Sequence, residues 1–171
     1  KYKCFYNTDL SVPLESGEFM LTPSCEGTIM QSMDFHKNDD VLLVGTGSGY
    51  LTECISHLTN SVSSYEIDSK LFSFAKNNID LYSQNSYKIE LNHRSILDCL
   101  DKLIEYKKVI FTCSVDTYKV FVDYLSNDSR SFFFINQYKS PYKTGIIIDK
   151  TRDCYRVKEN IVTSQTNQIR C

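Results

Sequence analysis

Val41-Leu-Leu-Val-Gly-Thr-Gly-Ser-Gly-Tyr50, followed by Ser64-Tyr-Glu-Ile67, is the stretch on which this sequence turns. Val41 to Val44 is apolar without alternation, as in a strand covered on both faces of a sheet. Gly45 ends the run. Leu51, Cys54, Ile55 and Leu58 then recur at i, i+3, i+4 and i+7, one stripe of an amphipathic helix. Between strand and helix lie Gly45, Gly47 and Gly49, three of the six glycines in the chain. Glycines at such a junction make a tight turn, and they also let the backbone approach a ligand with no Cβ in the way. An α/β sheet binds its ligands here, beyond the carboxyl ends of its strands, and the following helix start favours an anionic group. Three glycines in this register favour a ligand over a turn alone. Two phosphate-binding patterns do not fit: a dinucleotide fingerprint needs glycine where Tyr50 stands, and a P-loop needs a lysine that the run lacks. Glu66 closes the next β run, where a carboxylate can accept hydrogen bonds from the hydroxyls of a ribose.

Outward from this stretch, β runs and helical stripes alternate. Ser61 to Tyr65 predicts the second strand, and Asp68 can cap a helix whose inward residues are Leu71, Phe72, Ala75, Ile79 and Tyr82. Tyr87 to Leu91 predicts a third strand. Ile96, Leu100, Leu103 and Ile104 stripe the next helix. Val109 to Phe111 and Phe132 to Ile135 predict two more strands, separated by a helix marked by Tyr118, Phe121, Val122 and Leu125. The rhythm then changes, because Gly145 to Asp149 and Cys154 to Lys158 are joined by a short polar link that suits a hairpin. Right-handed crossovers turn this order into a Rossmann-like, doubly wound, mostly parallel α/β sheet with a C-terminal antiparallel hairpin. Residues 1–40 have weak periodicity, with Pro13 and Pro23 as breakers. They are expected to form an N-terminal appendage packed on a body of residues 41–171, a single compact domain overall.

Hydrophobic residues at 42% and charged residues at 23% of 171 exclude wholesale disorder. Nineteen basic against twenty-one acidic side chains leave a net charge of −2, so no global field draws the protein to nucleic acid or an anionic membrane. The interleaved Tyr138, Lys139, Tyr142 and Lys143 could touch nucleic acid locally, but nucleic acid is not the expected partner. No run approaches the roughly 18 apolar residues of a membrane span. The seven cysteines show no C-x-x-C pair and no metal spacing with His36, His57 or His93, so no metal is expected and the thiols are read as reduced. That points to a cytoplasmic protein. The chain begins at Lys1 rather than Met, so some N-terminal sequence is expected to be missing, and the lack of a signal peptide says little. His36 and His57 are expected at the surface or on a helix face.

The glycine run with Ser64-Tyr-Glu-Ile67 resembles the cofactor-binding motifs of class I S-adenosylmethionine-dependent methyltransferases. More narrowly, it is similar to the protein-L-isoaspartate O-methyltransferase family, in which a G-T-G-S-G-Y run is characteristic. Phe19-Met-Leu-Thr-Pro23 ahead of Ile29-Met30, Val109-Ile-Phe-Thr-Cys113 and the terminal hairpin agree in order. The resemblance implies S-adenosylmethionine as cofactor, held by Gly45, Thr46, Gly47, Ser48, Gly49 and Tyr50, with Glu66 on the ribose, Ile67 against the adenine and His93 at the adenine edge. It further implies Thr22 and Thr112 near the transferred methyl group and Arg94 at the adenine edge or on an acidic group of the substrate. A protein or peptide carboxylate is the implied acceptor, which needs no general base, so no catalytic residue is assigned. Three departures from the family pattern are Leu43 in place of an acidic residue, Asn92-His-Arg94 in place of a Gly-Asp-Gly turn, and Leu21 in place of a serine. They motivate an alternative: a catalytically degenerate member that binds the nucleoside as a structural or sensing ligand. A nicotinamide-dependent oxidoreductase is disfavoured by Tyr50.

Overall fold

The apolar run becomes strand β1 (Asp40–Val44), and its four apolar side chains are buried. Both sides of the strand are covered: Leu42 and Val44 enter one core, Val41 and Leu43 the other, which is why no polar residue alternates with them. This is a computed structural model, and it describes residues 8–14, 16–136 and 142–165. The remaining strands are β2 (Ser61–Glu66), β3 (Ile89–His93), β4 (Lys108–Val115), β5 (Ser129–Asn136), β6 (Tyr142–Lys150) and β7 (Tyr155–Gln165). They form one seven-stranded sheet in the order β3-β2-β1-β4-β5-β6-β7. β1 to β5 pair in parallel, while β6 and β7 run antiparallel as the terminal hairpin. The chain leaves β1 toward β2 on one side and returns to β4 on the other. The carboxyl end of β1, where Gly45 stands, is therefore the switch point of the sheet.

The helices are α1 (Pro23–Met33), α2 (Tyr50–Ser56), α3 (Ser69–Tyr82) and the single turn α4 (Lys119–Val122), with a 3-10 stretch at Ile96–Glu105. Asp68 caps α3 as its sequence suggests, accepting from the N–H groups of Lys70 and Leu71 at 2.8 and 2.9 Å. Three apolar residues placed inward by periodicity lie outward. Leu58 is exposed because α2 stops at Ser56, where the Ser56 and Thr59 hydroxyls donate to the carbonyls of Glu53 and Ile55. Tyr82 ends α3 one turn past Ile79, and it too is exposed. Ile104 is turned out by a break in the 3-10 stretch at Cys99, whose φ is −152°.

The described part of residues 1–40 packs on the sheet. Pro23 opens α1 at a position where a missing N–H costs nothing, and Thr22 caps the helix. Leu21, Cys25, Ile29 and Met33 join Val41, Leu43, Ile110 and Phe132 in the second core. Lys108 Nζ donates to the carbonyls of Met33 and Asp34, fastening the end of α1 to β4. Cys113 is disulfide-bonded, against the expectation of reduced thiols throughout, whereas Cys54, Cys99 and Cys154 are free. Among the described residues no helix is long and apolar enough to cross a membrane, and no group of three or more His, Cys, Asp or Glu could hold a metal ion.

Candidate functional site

The turn after β1 is held at every step. Gly45 adopts φ +96°, and a Cβ there would stand 2.5 Å from Thr112 Oγ1 and 3.1 Å from the Cys113 nitrogen, so only glycine fits. Thr112 reaches this point because β4 shifts register against β5 between Phe111 and Ser114. Its hydroxyl lies 3.0 Å from the Val44 carbonyl and 2.7 Å from that of Gly45. Thr46 is buried and its hydroxyl pairs with that of Ser64 at 2.7 Å, anchoring the turn to β2. Asn78 of α3 donates to the Ser48 carbonyl. Gly49, at φ +83°, packs so close to Ile79 that a Cβ would lie 3.2 Å from Cδ1.

Glu66 completes the arrangement. Its carboxylate is buried at the end of β2 and accepts from the N–H of Gly47 through Oε2 and of Asp68 through Oε1, both at 3.0 Å. Each oxygen keeps a second lone-pair direction, so two further donors can be accepted. A diol is such a pair of donors.

Two hollows meet at Gly45 and Glu66. The first, about 460 Å³ with its open mouth included, lies between Gly45 to Ser48, Thr112 and a cover formed by Leu14, Phe19, Met20 and Leu21. The second, of about 440 Å³, lies on the far side of Glu66 among Ile67, Arg94, Ile96, Leu97, Phe111 and Phe121. One hollow is floored by backbone and capped by apolar side chains; the other is a slot with apolar walls. A ligand with a compact polar part, a sugar and a flat ring would lie across both, its sugar at Glu66.

The structure brings together most residues singled out from the sequence. Gly45, Thr46, Gly47, Ser48, Glu66 and Thr112 line the first hollow, and Ile67 and Arg94 line the second. Four stand elsewhere. Gly49 and Tyr50 begin α2 and face α3 instead. Thr22 spends its side chain capping α1. His93 is exposed, stacks on Phe72 at 5.0 Å and hydrogen-bonds the Ile67 carbonyl through Nε2. It thereby braces the segment carrying Ile67. Tyr138 and Lys139 of the aromatic-basic cluster lie outside the described residues.

Sequence reasoning missed the cover over the first hollow and, within it, Glu26. This residue of α1 is 5% exposed and lines the hollow, and burial pushes its carboxyl up to about 8. An acidic residue in the first turn of a helix is ordinary, so nothing in the sequence marks it as inward.

Residues 16–122 match the model of the ribosomal RNA adenine dimethylase family. A protein-L-isoaspartate O-methyltransferase of Jannaschia sp. (strain CCS1) is 40% identical over 60 residues, 35% of this chain and 26% of that protein. An rRNA adenine N-6-methyltransferase of Enterococcus faecalis (strain ATCC 700802 / V583) is 28% identical over 82 residues, 48% of this chain and 32% of that protein. The chain thus spans about a quarter to a third of the length of these relatives. Among solved structures, a protein-L-isoaspartate O-methyltransferase from Plasmodium falciparum in complex with S-adenosyl-L-homocysteine superposes with a TM-score of 0.74. It is 17% identical, with 88% of this chain and 76% of that one covered, which establishes the class I methyltransferase fold.

Proposed function

The chain belongs to the ribosomal RNA adenine dimethylase family, and from that premise we propose that it is an S-adenosylmethionine-dependent methyltransferase whose cofactor spans the two hollows. The observation that carries this reading is their junction at Gly45 and Glu66, which fits a ligand with an amino-acid part on one side and an adenine on the other. The glycine turn lies under the methionine part. Glu66 holds the ribose with its two unused acceptor directions, and Ile67, Ile96, Leu97 and Phe111 flank the adenine. The cofactor supplies an activated sulfonium methyl when bound, so the protein's task is alignment, which can contribute up to about 7–11 kcal/mol. Thr112 and the cover of Leu14, Phe19, Met20 and Leu21, ahead of α1, wall the first hollow. The alternative of a degenerate, non-catalytic relative draws no support from the relatives, which carry methyltransferase names.

For the acceptor, a carboxylate of a protein or peptide is the leading reading. It is supported by the isoaspartate methyltransferase relative, by a net charge of −2, and by hollows whose lining, among the described residues, contains one basic side chain, Arg94. A carboxylate attacks without losing a proton, so a site with no general base suffices. The family match favours a second reading, the exocyclic amine of an RNA adenine.

Calorimetry with S-adenosylhomocysteine tests the cofactor. Glu66→Ala is expected to weaken binding at least tenfold, about 1.4 kcal/mol, and equal binding by the two proteins removes the assignment. The acceptor is tested by offering labelled cofactor with an isoaspartyl peptide and, separately, with an adenine-containing ribosomal RNA fragment. A carboxylate acceptor gives label on the peptide that mild alkali releases, as expected of an ester. Alkali-stable label on the RNA would overturn that reading in favour of the second.

A further inference from the structure

Glu26 is a group that neither the glycine turn nor Glu66 explains. Its backbone N–H donates to the Thr22 carbonyl as the first bond of α1, so the main chain is accounted for. The side chain is not. It is 95% buried, it lines the first hollow, and no donor or counter-charge meets its carboxyl among the described residues. Among the described residues no lysine, arginine or histidine lines that hollow. The titratable groups that face it are Tyr50 and Cys54 from α2, with Glu66 across the hollow, and none of these brings a positive charge. A buried carboxyl without a partner is costly unless a ligand supplies one or it stays neutral.

Position within the hollow decides which ligand atom that is. Glu26 is near enough to Tyr50 and Cys54 of α2 to act on both electrostatically, whereas Thr112 lines the hollow from β4. The methyl group is placed at the β4 end by the expected role of Thr112, so the α2 end takes the distal end of the amino-acid part. We propose that Glu26 is the counter-ion for a primary ammonium in the glycine-turn hollow, namely the α-ammonium of the cofactor's methionine part. This rests on the methyltransferase reading above. It gives the acid a binding and positioning role, distinct from a base acting on the acceptor, which would have to stand at the Thr112 end.

The test compares two probes by calorimetry: S-adenosylhomocysteine, which carries the ammonium, and 5′-methylthioadenosine, which lacks the amino-acid part. Glu26→Gln is expected to weaken S-adenosylhomocysteine tenfold or more and to leave methylthioadenosine within twofold, which also shows that the variant is folded. In the parent protein the affinity for S-adenosylhomocysteine should rise nearly tenfold between pH 6 and pH 7, because binding must first ionise Glu26, and the rise should vanish in Glu26→Gln. The neighbouring Cys54 pushes the Tyr50 phenol upward and burial pushes the Cys54 thiol upward, both away from that window. Weakening of both probes alike, of neither, or an affinity that falls as pH rises, as for a protonated Glu26 donating to the ligand carboxylate, overturns the inference alone. A parent protein that binds neither probe overturns the methyltransferase reading itself.

Discussion

At Gly45 the demands of fold and ligand coincide. Its φ of +96° costs an L-residue about 1–3 kcal/mol, and the missing Cβ leaves room for the Thr112 hydroxyl that holds the turn closed. Gly45→Ala should therefore lower stability by about 2–4 kcal/mol in urea titrations and abolish S-adenosylhomocysteine binding, because the clash is with backbone as well as a side chain. Unchanged affinity would mean that the turn does not touch the ligand. Glu26 poses the opposite situation, a residue whose environment works against it. Its carboxyl is raised from 4.5 to about 8 by burial, so the folded protein binds a proton more tightly than the unfolded chain does. The stability this confers is fully present below pH 4.5 and is lost as pH rises toward 8. At pH 7 the loss amounts to about 3 kcal/mol at most. Urea midpoints measured from pH 5 to pH 8 should fall in the ligand-free protein and flatten in Glu26→Gln. These two residues also mark what a sequence discloses at this scale. Gly45 is legible because a positive φ demands glycine, and Glu66 because a carboxylate closing the strand beside the glycine turn stands out. Glu26 is not, since only packing turns a first-turn acid inward.

Elements were legible where burial is two-sided. β1, β4 and β5 read as strands because Val41 to Val44, Val109 to Phe111 and Phe132 to Ile135 serve two cores at once. Helical stripes were less reliable, since an apolar residue one turn beyond the real end fits the same period; Leu58 and Tyr82 are such residues. The segment after β3 fails for a different reason. Ile96, Leu100, Leu103 and Ile104 suit an α-helix, yet the chain makes 3-10 turns interrupted at Cys99, and Ile96, Cys99 and Leu103 are the residues buried. The register shift that aims Thr112 at Gly45 leaves no compositional trace either, because a bulge inserts an extra residue without demanding a particular one. Where chemistry rather than period sets a boundary, the prediction is firm. Asp68 accepts from two N–H groups of α3, so Asp68→Ala should cost about 1 kcal/mol in denaturant titrations. Faster amide exchange at Lys70 and Leu71 should accompany it. Because Glu66 accepts from the Asp68 N–H, the same variant should also weaken the cofactor modestly; a loss as large as that of Glu66→Ala would show the cap to be part of the binding machinery.

For the whole molecule the question is whether residues 41–171 form a body that stands without residues 1–40. Weak periodicity marks the first forty residues as an appendage packed on the body, and the second core is built across that boundary. Ile29 and Met33 are fully buried and Leu21 nearly so, all against Val41, Leu43, Ile110, Phe132 and Phe134 of the sheet. Truncating a buried aliphatic side chain costs roughly 2–5 kcal/mol, so losing these three amounts to roughly 6–15 kcal/mol. That equals the roughly 5–15 kcal/mol that holds an ordinary domain together. Removal would also bare the part of one sheet face that α1 covers and strip the cover of Phe19, Met20 and Leu21 from the first hollow. Lys108 would lose the carbonyl of Met33, and Arg130 that of Ser32. A variant beginning at Asp34 should accordingly show no cooperative thermal transition and bind no S-adenosylhomocysteine, whereas Met33→Ala in the full chain should keep its transition at a lower temperature. A truncated protein that melts cooperatively near the temperature of the full chain would show that α1 is dispensable to the fold and that the sheet face it covers is stable in water, which its run of buried Val, Leu, Ile and Phe argues against.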